Sequence, residues 1–280
     1  MKKIIALLLM LATAFCLVAC NEDTDAESEA KVNTDAVGEV SIDEGKKAPT
    51  PDEEYVLWKE SSTKTGVEKI YEYNEKGHLT RVLHNYPDGR VEEDLYEYTY
   101  NDDGSWSVHE DGYLITEKLS KYDAEGRLVE QIHSPSNVKH EITTYTYNDN
   151  TVEIITKDQD GHVKKWRVET YENGLLVKHE TFLSNGVSTG YYLYRYDEKG
   201  NETAQEAYTP DGVKNGGNAV YEWTEEYDEY GRVIEKTKNY PETGGYARQE
   251  LYEYDEKGGM CKMTVGISIY EYRPLSECIK

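Results

Sequence analysis

Phenylalanine is almost missing from this 280-residue chain: two occur, beside 26 tyrosines. Large apolar side chains are too few for an ordinary dry core, so tyrosine rings are the only plentiful core material. Positive charge is also short, with 31 Lys plus Arg against 55 Asp plus Glu and a formal net charge of −24. A phosphate backbone needs a positive footprint, so no nucleic-acid partner is expected, and attraction to anionic headgroups is disfavoured for the same reason. The surplus acid reads as charge that keeps an exposed sheet soluble, with cationic partners left open. No stretch shows a sustained helical period with caps, which argues against a helical fold.

Catalytic signatures are missing too. There is no H-E-x-x-H, no G-x-S-x-G and no phosphate-cradling glycine loop. The histidines, His78, His84, His109, His133, His140, His162 and His179, are scattered without metal-ligand spacing. Most should be exposed strand or turn residues. Asp158-Gln159-Asp160-Gly161 imitates part of a calcium loop, but Thr156 stands where the first acidic ligand belongs, and turn chemistry explains the segment better. No metal, no cofactor and no enzymatic activity are therefore expected.

The one long apolar run lies at the start. Lys2 and Lys3 precede the apolar Ile4 to Leu11, and Leu17-Val18-Ala19-Cys20 closes the segment with a cysteine. The run is too short for a comfortable membrane span of about 20 residues. The segment resembles the lipobox of bacterial lipoproteins. That resemblance implies a signal peptide over 1–19, a diacylglycerol on the Cys20 sulfur, and an extracytoplasmic chain held to the cell envelope by lipid.

Residues 20–54 follow as a lipidated acidic tether. Asn21 to Glu54 holds twelve acidic residues, three lysines and no aromatic residue, a composition that cannot offset its ordering entropy and should be disordered. Every tyrosine lies beyond it, from Tyr55 onward. That break puts one β domain or repeat array at 55–280. Once Cys16 leaves with the signal and Cys20 is acylated, Cys261 and Cys278 remain. An exported location permits a disulfide between them, which would pin the C-terminal tail to the last hairpin; two cysteines alone leave the pairing open.

Glycines recur through this region at Gly77, Gly89, Gly104, Gly126, Gly161, Gly174, Gly186, Gly200, Gly212, Gly231, Gly245 and Gly258. Asp88-Gly89, Asp103-Gly104, Asp160-Gly161, Asn173-Gly174, Asn185-Gly186 and Asp211-Gly212 read as two-residue hairpin turns. Asn74 to Gly77, Asp197 to Gly200 and Asp255 to Gly258 read as a type I turn followed by a left-handed glycine. Between turns, tyrosines alternate: Tyr71/Tyr73, Tyr96/Tyr98/Tyr100, Tyr145/Tyr147, Tyr194/Tyr196, Tyr252/Tyr254 and Tyr270/Tyr272 each share one face of a strand. Glu72, Glu97, Arg195 and Glu253 fall opposite. The pattern predicts an all-β domain: an antiparallel meander of repeated hairpins, about 15 to 20 strands, curled or spiralled so that the aromatic face leaves water.

Tyr122-Asp123-Ala124-Glu125-Gly126-Arg127-Leu128 and Tyr227-Asp228-Glu229-Tyr230-Gly231-Arg232-Val233 resemble the YD repeats of RHS-type bacterial surface and toxin proteins. Tyr196 to Asn201 and Tyr73 to Leu79 are less complete copies, and the resemblance covers most of 70–260. It implies long hairpins that can spiral into a shell, and no catalytic residues. The array is far shorter than an RHS shell and no toxin-like domain follows Lys280, so encapsulation of a C-terminal cargo is not expected.

The tyrosine ladders are the one feature with functional scope. A ring with a hydroxyl suits a surface apolar at its body and wet at its tip, and tryptophan rings can stack on sugars. The candidate ligand platform is Tyr71, Tyr73, Tyr96, Tyr98, Tyr145, Tyr147, Trp166, Tyr194, Tyr196, Trp223, Tyr252 and Tyr254, weighed against the same rings serving as core. The expected function is a non-enzymatic interaction domain for a glycan or a protein. The rivals are an envelope polysaccharide hydrolase, which would need a carboxylate pair in a cleft, and a toxin immunity or inhibitor protein.

Overall fold

The computed structural model describes residues 48–112, 117–134, 140–216, 219–241 and 245–279. The lipobox segment with Cys20, and most of the tether, lie outside the described residues. Nineteen strands follow in chain order. The first six are β1 (Tyr55–Ser62), β2 (Glu68–Tyr73), β3 (Leu79–Asn85), β4 (Val91–Tyr100), β5 (Trp106–Gly112) and β6 (Lys118–Tyr122). Next come β7 (Leu128–His133), β8 (Glu141–Asn148), β9 (Thr151–Asp158), β10 (Val163–Glu172), β11 (Leu175–Phe182) and β12 (Ser188–Tyr196). The rest are β13 (Glu202–Tyr208), β14 (Ala219–Val220), β15 (Glu222–Tyr227), β16 (Val233–Tyr240), β17 (Gly245–Tyr254), β18 (Met260–Val265) and β19 (Ser268–Pro274). One helical turn, α1 (Leu275–Cys278), follows β19.

The strands form a single antiparallel sheet in which neighbours in sequence are neighbours in space. The β14 and β15 strands are one strand interrupted at Tyr221, pairing back to β13 and forward to β16 respectively. The sheet then returns on itself, because β1 pairs with β19 from Tyr55↔Pro274 to Ser62↔Ser268 as well as with β2. The expected curled meander is thus a nearly closed, barrel-like ring. Closure removes the edge strands that an open aromatic sheet would leave. Among the described residues its thinnest seam is β13–β14, with Ala204↔Val220 and Gln205↔Ala219 paired and the Tyr221 N–H bonded to the Thr203 carbonyl (2.8 Å).

The turns are more uniform than the sequence reading anticipates. At Asp123 the N–H donates to the Arg127 carbonyl (3.0 Å), and the Gly126 N–H returns to the Asp123 carbonyl (3.0 Å). The same two bonds recur at Tyr86/Gly89, Asn101/Gly104, Asp158/Gly161, Leu183/Gly186 and Thr209/Gly212. Five of the six Asp-Gly and Asn-Gly pairs are therefore not two-residue turns. They are the longer turn, with only the glycine in the left-handed region, a form that suits the twist of the flanking strands as well. Asn173-Gly174 alone among them is a two-residue hairpin with both φ positive, 51° and 82°. Gly245 is no turn glycine; it opens β17.

Ladder register shows which side chains share a face. The row Tyr98, Val108, Ser120, Gln131, Thr143, Thr156 and Lys165 runs across seven strands. Its face holds Val82, Val108, Ser120, Ile154 and Thr156, all at least nine-tenths buried, and is the inner face of the ring. The opposite face carries Arg81, Glu93, Glu97, Lys121 and Glu130. Among the described residues the buried set divides evenly, seven apolar and seven polar or charged, and no side chain is fully enclosed. An ordinary core would be dominated by aliphatics; here half of these buried side chains are polar or charged. The C-terminal turn packs against β1, β2 and β19, with Leu275 N–H bonded to the Glu54 carbonyl (2.9 Å). Cys278 is buried there and Cys261 lies in β18, and both are free thiols.

Candidate functional site

Tyr71, Tyr73, Tyr96, Tyr98, Tyr145, Tyr147, Tyr194, Tyr196, Tyr252, Tyr254 and Trp223 all lie on the inner face, forming a belt of rings around the barrel. Trp166 does not join them. Its cross-strand neighbours are Ile155 and Phe182, one position out of step with the inner row, and its indole donates to Glu153 on the outer face (3.0 Å).

Most of the belt is committed to the fold. Tyr73 donates to the Leu57 carbonyl (2.5 Å), Tyr147 to Leu128 (2.9 Å), Tyr196 to Leu176 (2.7 Å) and Tyr254 to Val233 (3.0 Å). Tyr71 donates to Glu60 (2.8 Å), Tyr96 to Glu110 (3.4 Å) and Tyr252 to Glu250. Trp223 donates to the Glu202 carbonyl (2.7 Å) beneath Lys236 and Lys238. Tyr98 packs with His78 and Trp106, and Trp106 stacks on Tyr122 at 3.8 Å. Burial pushes these phenols up, Tyr194 to about 12 and Tyr71 further still, so the rings stay neutral at physiological pH.

The larger of two cavities among the described residues, 440 Å³, lies on the inner face between β6 and β10. Three neighbouring ladder rows build it. Tyr145 and Arg167 flank Ile154 in one. Gln131, Thr143, Thr156 and Lys165 form the second. Lys118, His133 and Glu141 form the third. Thr143 and Thr156 share a hydroxyl hydrogen bond (2.9 Å), and Gln131 donates to the Ser120 hydroxyl (3.1 Å). Lys118 is anchored by the buried Glu110 (3.0 Å), and Arg167 by Glu169 through Nε (2.9 Å). Lys165 makes no ion pair among the described residues. Apart from Tyr145, none of these lining residues is in the sequence-derived platform. Side chains from five strands, with the cations on β6 and β10, converge only through register, which no local spacing in the chain reveals.

A second cavity, 330 Å³, holds Asp197, Lys199, Asn201, Trp223, Glu225 and Tyr227. Its two central acids are already spent. Hydrogen bonds from Lys199 and Tyr227 hold Glu225 down to about 2. Burial works against ionising Asp197, but backbone and side-chain hydrogen bonds from Asn201 and the Lys199 N–H outweigh it and keep the carboxyl low. A glycosidase acid needs the opposite shift. Asp158, Asp160 and His162 bring ligand atoms within 4.8 Å of one another. Asp158 Oδ1 there accepts the Asp160 and His162 N–H groups (3.0 Å each), the same turn bonding seen at Asp197, Asp228 and Asp255.

No family model matches the chain, and no curated protein matches it. Among solved structures it is similar to a porin-like protein from Bacteroides uniformis, at 10% identity over 78% of this chain and 96% of that one, TM-score 0.38. It is likewise similar to a porin-like protein from Bacteroides vulgatus, at 10% identity over 78% and 98%, TM-score 0.34. Similarity to the Photorhabdus luminescens Tc holotoxin pore is 15% identity over 75% of this chain, TM-score 0.19, and spans 14% of that chain.

Proposed function

We propose that this chain is a lipid-anchored, non-enzymatic protein of the bacterial envelope whose barrel binds a glycan on its inner face. The observation that carries the reading is the cavity between β6 and β10. It sets an aromatic ring beside hydroxyl, amide and charged groups, the mixture that a polyhydroxylated ring requires. Anchoring is assigned to the lipid on Cys20 rather than to the barrel, because the outer face is charged at Arg81, Glu93, Glu97, Lys121 and Glu130. A barrel crossing a bilayer needs an apolar outer band. A non-enzymatic role is supported by the ionised, hydrogen-bonded state of Asp197 and Glu225. Calorimetric titration of the purified chain with neutral and acidic oligosaccharides should give saturable binding to one class. Failure of both classes removes the proposal. A Glu141→Ala change that abolished turnover of a polysaccharide would instead revive the hydrolase.

A further inference from the structure

We infer that the cavity between β6 and β10 is a site for a saccharide bearing a carboxylate, with the acid group held between Lys165 and Arg167. The inference rests on the glycan reading and names its ligand class. The chain as a whole carries a net charge of −24, so an anion is repelled almost everywhere on it. Here three cations gather: Lys118, Lys165 and Arg167 line the cavity with one lining carboxylate, Glu141, while Glu110 and Glu169 pair with Lys118 and Arg167 from beside it.

The ion pairs already present do not use up these cations. Glu169 takes one N–H of a guanidinium that has five, and Glu110 takes one of the three donors of Lys118. Lys165 keeps all three, since it forms no ion pair among the described residues. Glu110 and Glu169 therefore fix two side chains in place while leaving donors for a ligand, the pre-organisation that lowers the cost of binding. Lys165 and Arg167 sit two apart on β10, so their stems rise from one face about 6.6 Å apart. A carboxylate between them can accept from both. The sugar ring attached to it would lie towards Tyr145, with its hydroxyls against the Thr143 and Thr156 row.

The test is titration of the full-length chain with matched probes: oligosaccharides of galacturonate, glucuronate, mannuronate and sialic acid, and their methyl esters, which keep the ring and remove the charge. Binding of at least one acid should exceed that of its ester. Lys165→Gln should weaken that acid on the order of tenfold more than it weakens the ester. Because Lys165 is exposed and unpaired, this variant should fold normally, with an unshifted melt as the check; Arg81→Gln on the outer face should change nothing. Equal binding of acids and esters, or an unaffected Lys165→Gln, overturns the inference and leaves glycan binding standing. Absence of binding by every saccharide, acidic and neutral, overturns both.

Discussion

Gly126 and Gly258 adopt the same left-handed backbone, φ 80° and 88°, in different surroundings. A Cβ on Gly126 would meet open space, so Gly126→Ala should cost only the backbone strain, about 1 kcal/mol. A Cβ on Gly258 would also collide with the Pro49 carbonyl, and Gly258→Ala should destabilise clearly more. Thermal melts give the order, and equal losses would contradict the Pro49 contact. Glu225 makes a prediction in pH. Its folded pKa, about 2, lies below the ordinary 4.5, so it stabilises the fold fully above about pH 4.5 and loses that contribution as pH falls towards 2. Glu225→Gln should flatten the fall in melting temperature over that window; melts that track the parent protein throughout it would refute the assignment. At this scale the tyrosines were legible, because alternation places i and i+2 on one face whatever the partner strand. Trp166 was not, because its face depends on register against β9 and β11.

The repeating element is a turn stapled to its neighbour. Asp123 caps its own turn and holds Arg127 (2.7 Å); Arg127 lies over the Tyr147 ring, and the Tyr147 hydroxyl reaches the Leu128 carbonyl. Asp228, Arg232, Tyr254 and Val233 repeat the arrangement, with Arg232 4.3 Å from the Tyr254 ring. Each of these two YD-like turns thus grips the tyrosine of the next long hairpin. Tyr147→Phe removes one hydrogen bond while keeping the ring, and should cost about 1 kcal/mol of stability. Tyr145→Phe, one step along the same face but lining the cavity, should cost less, and denaturant melts of the pair compare the two. The aspartate and glycine of the turn are readable in sequence because they act locally. The staple is not, since its partners stand about 20 residues apart.

At the scale of the molecule, stability depends on closure. Without a dry core, each strand is held chiefly by its two ladders, so an unpaired edge is costly. Truncation after Val265 would remove β19 and α1, leaving β1 and β18 open. The shortened protein should self-associate, as light scattering would report, whereas a monodisperse fragment would show that the β1–β19 ladder is dispensable. A curled sheet follows from adjacent hairpins with one aromatic face. That the curl closes at β1–β19 depends on the twist and bulges accumulated over the whole array, which no single hairpin encodes.

The chain's own residues determined the strands, most of the turn positions and the sidedness of the tyrosines, because each follows from φ preference and two-residue alternation within a few residues. Folding alone decided which face became the interior, that the ring would close, and that cations from β6 and β10 would meet across four ladders. Those outcomes are set by cross-strand register, a long-range quantity that local spacing does not contain.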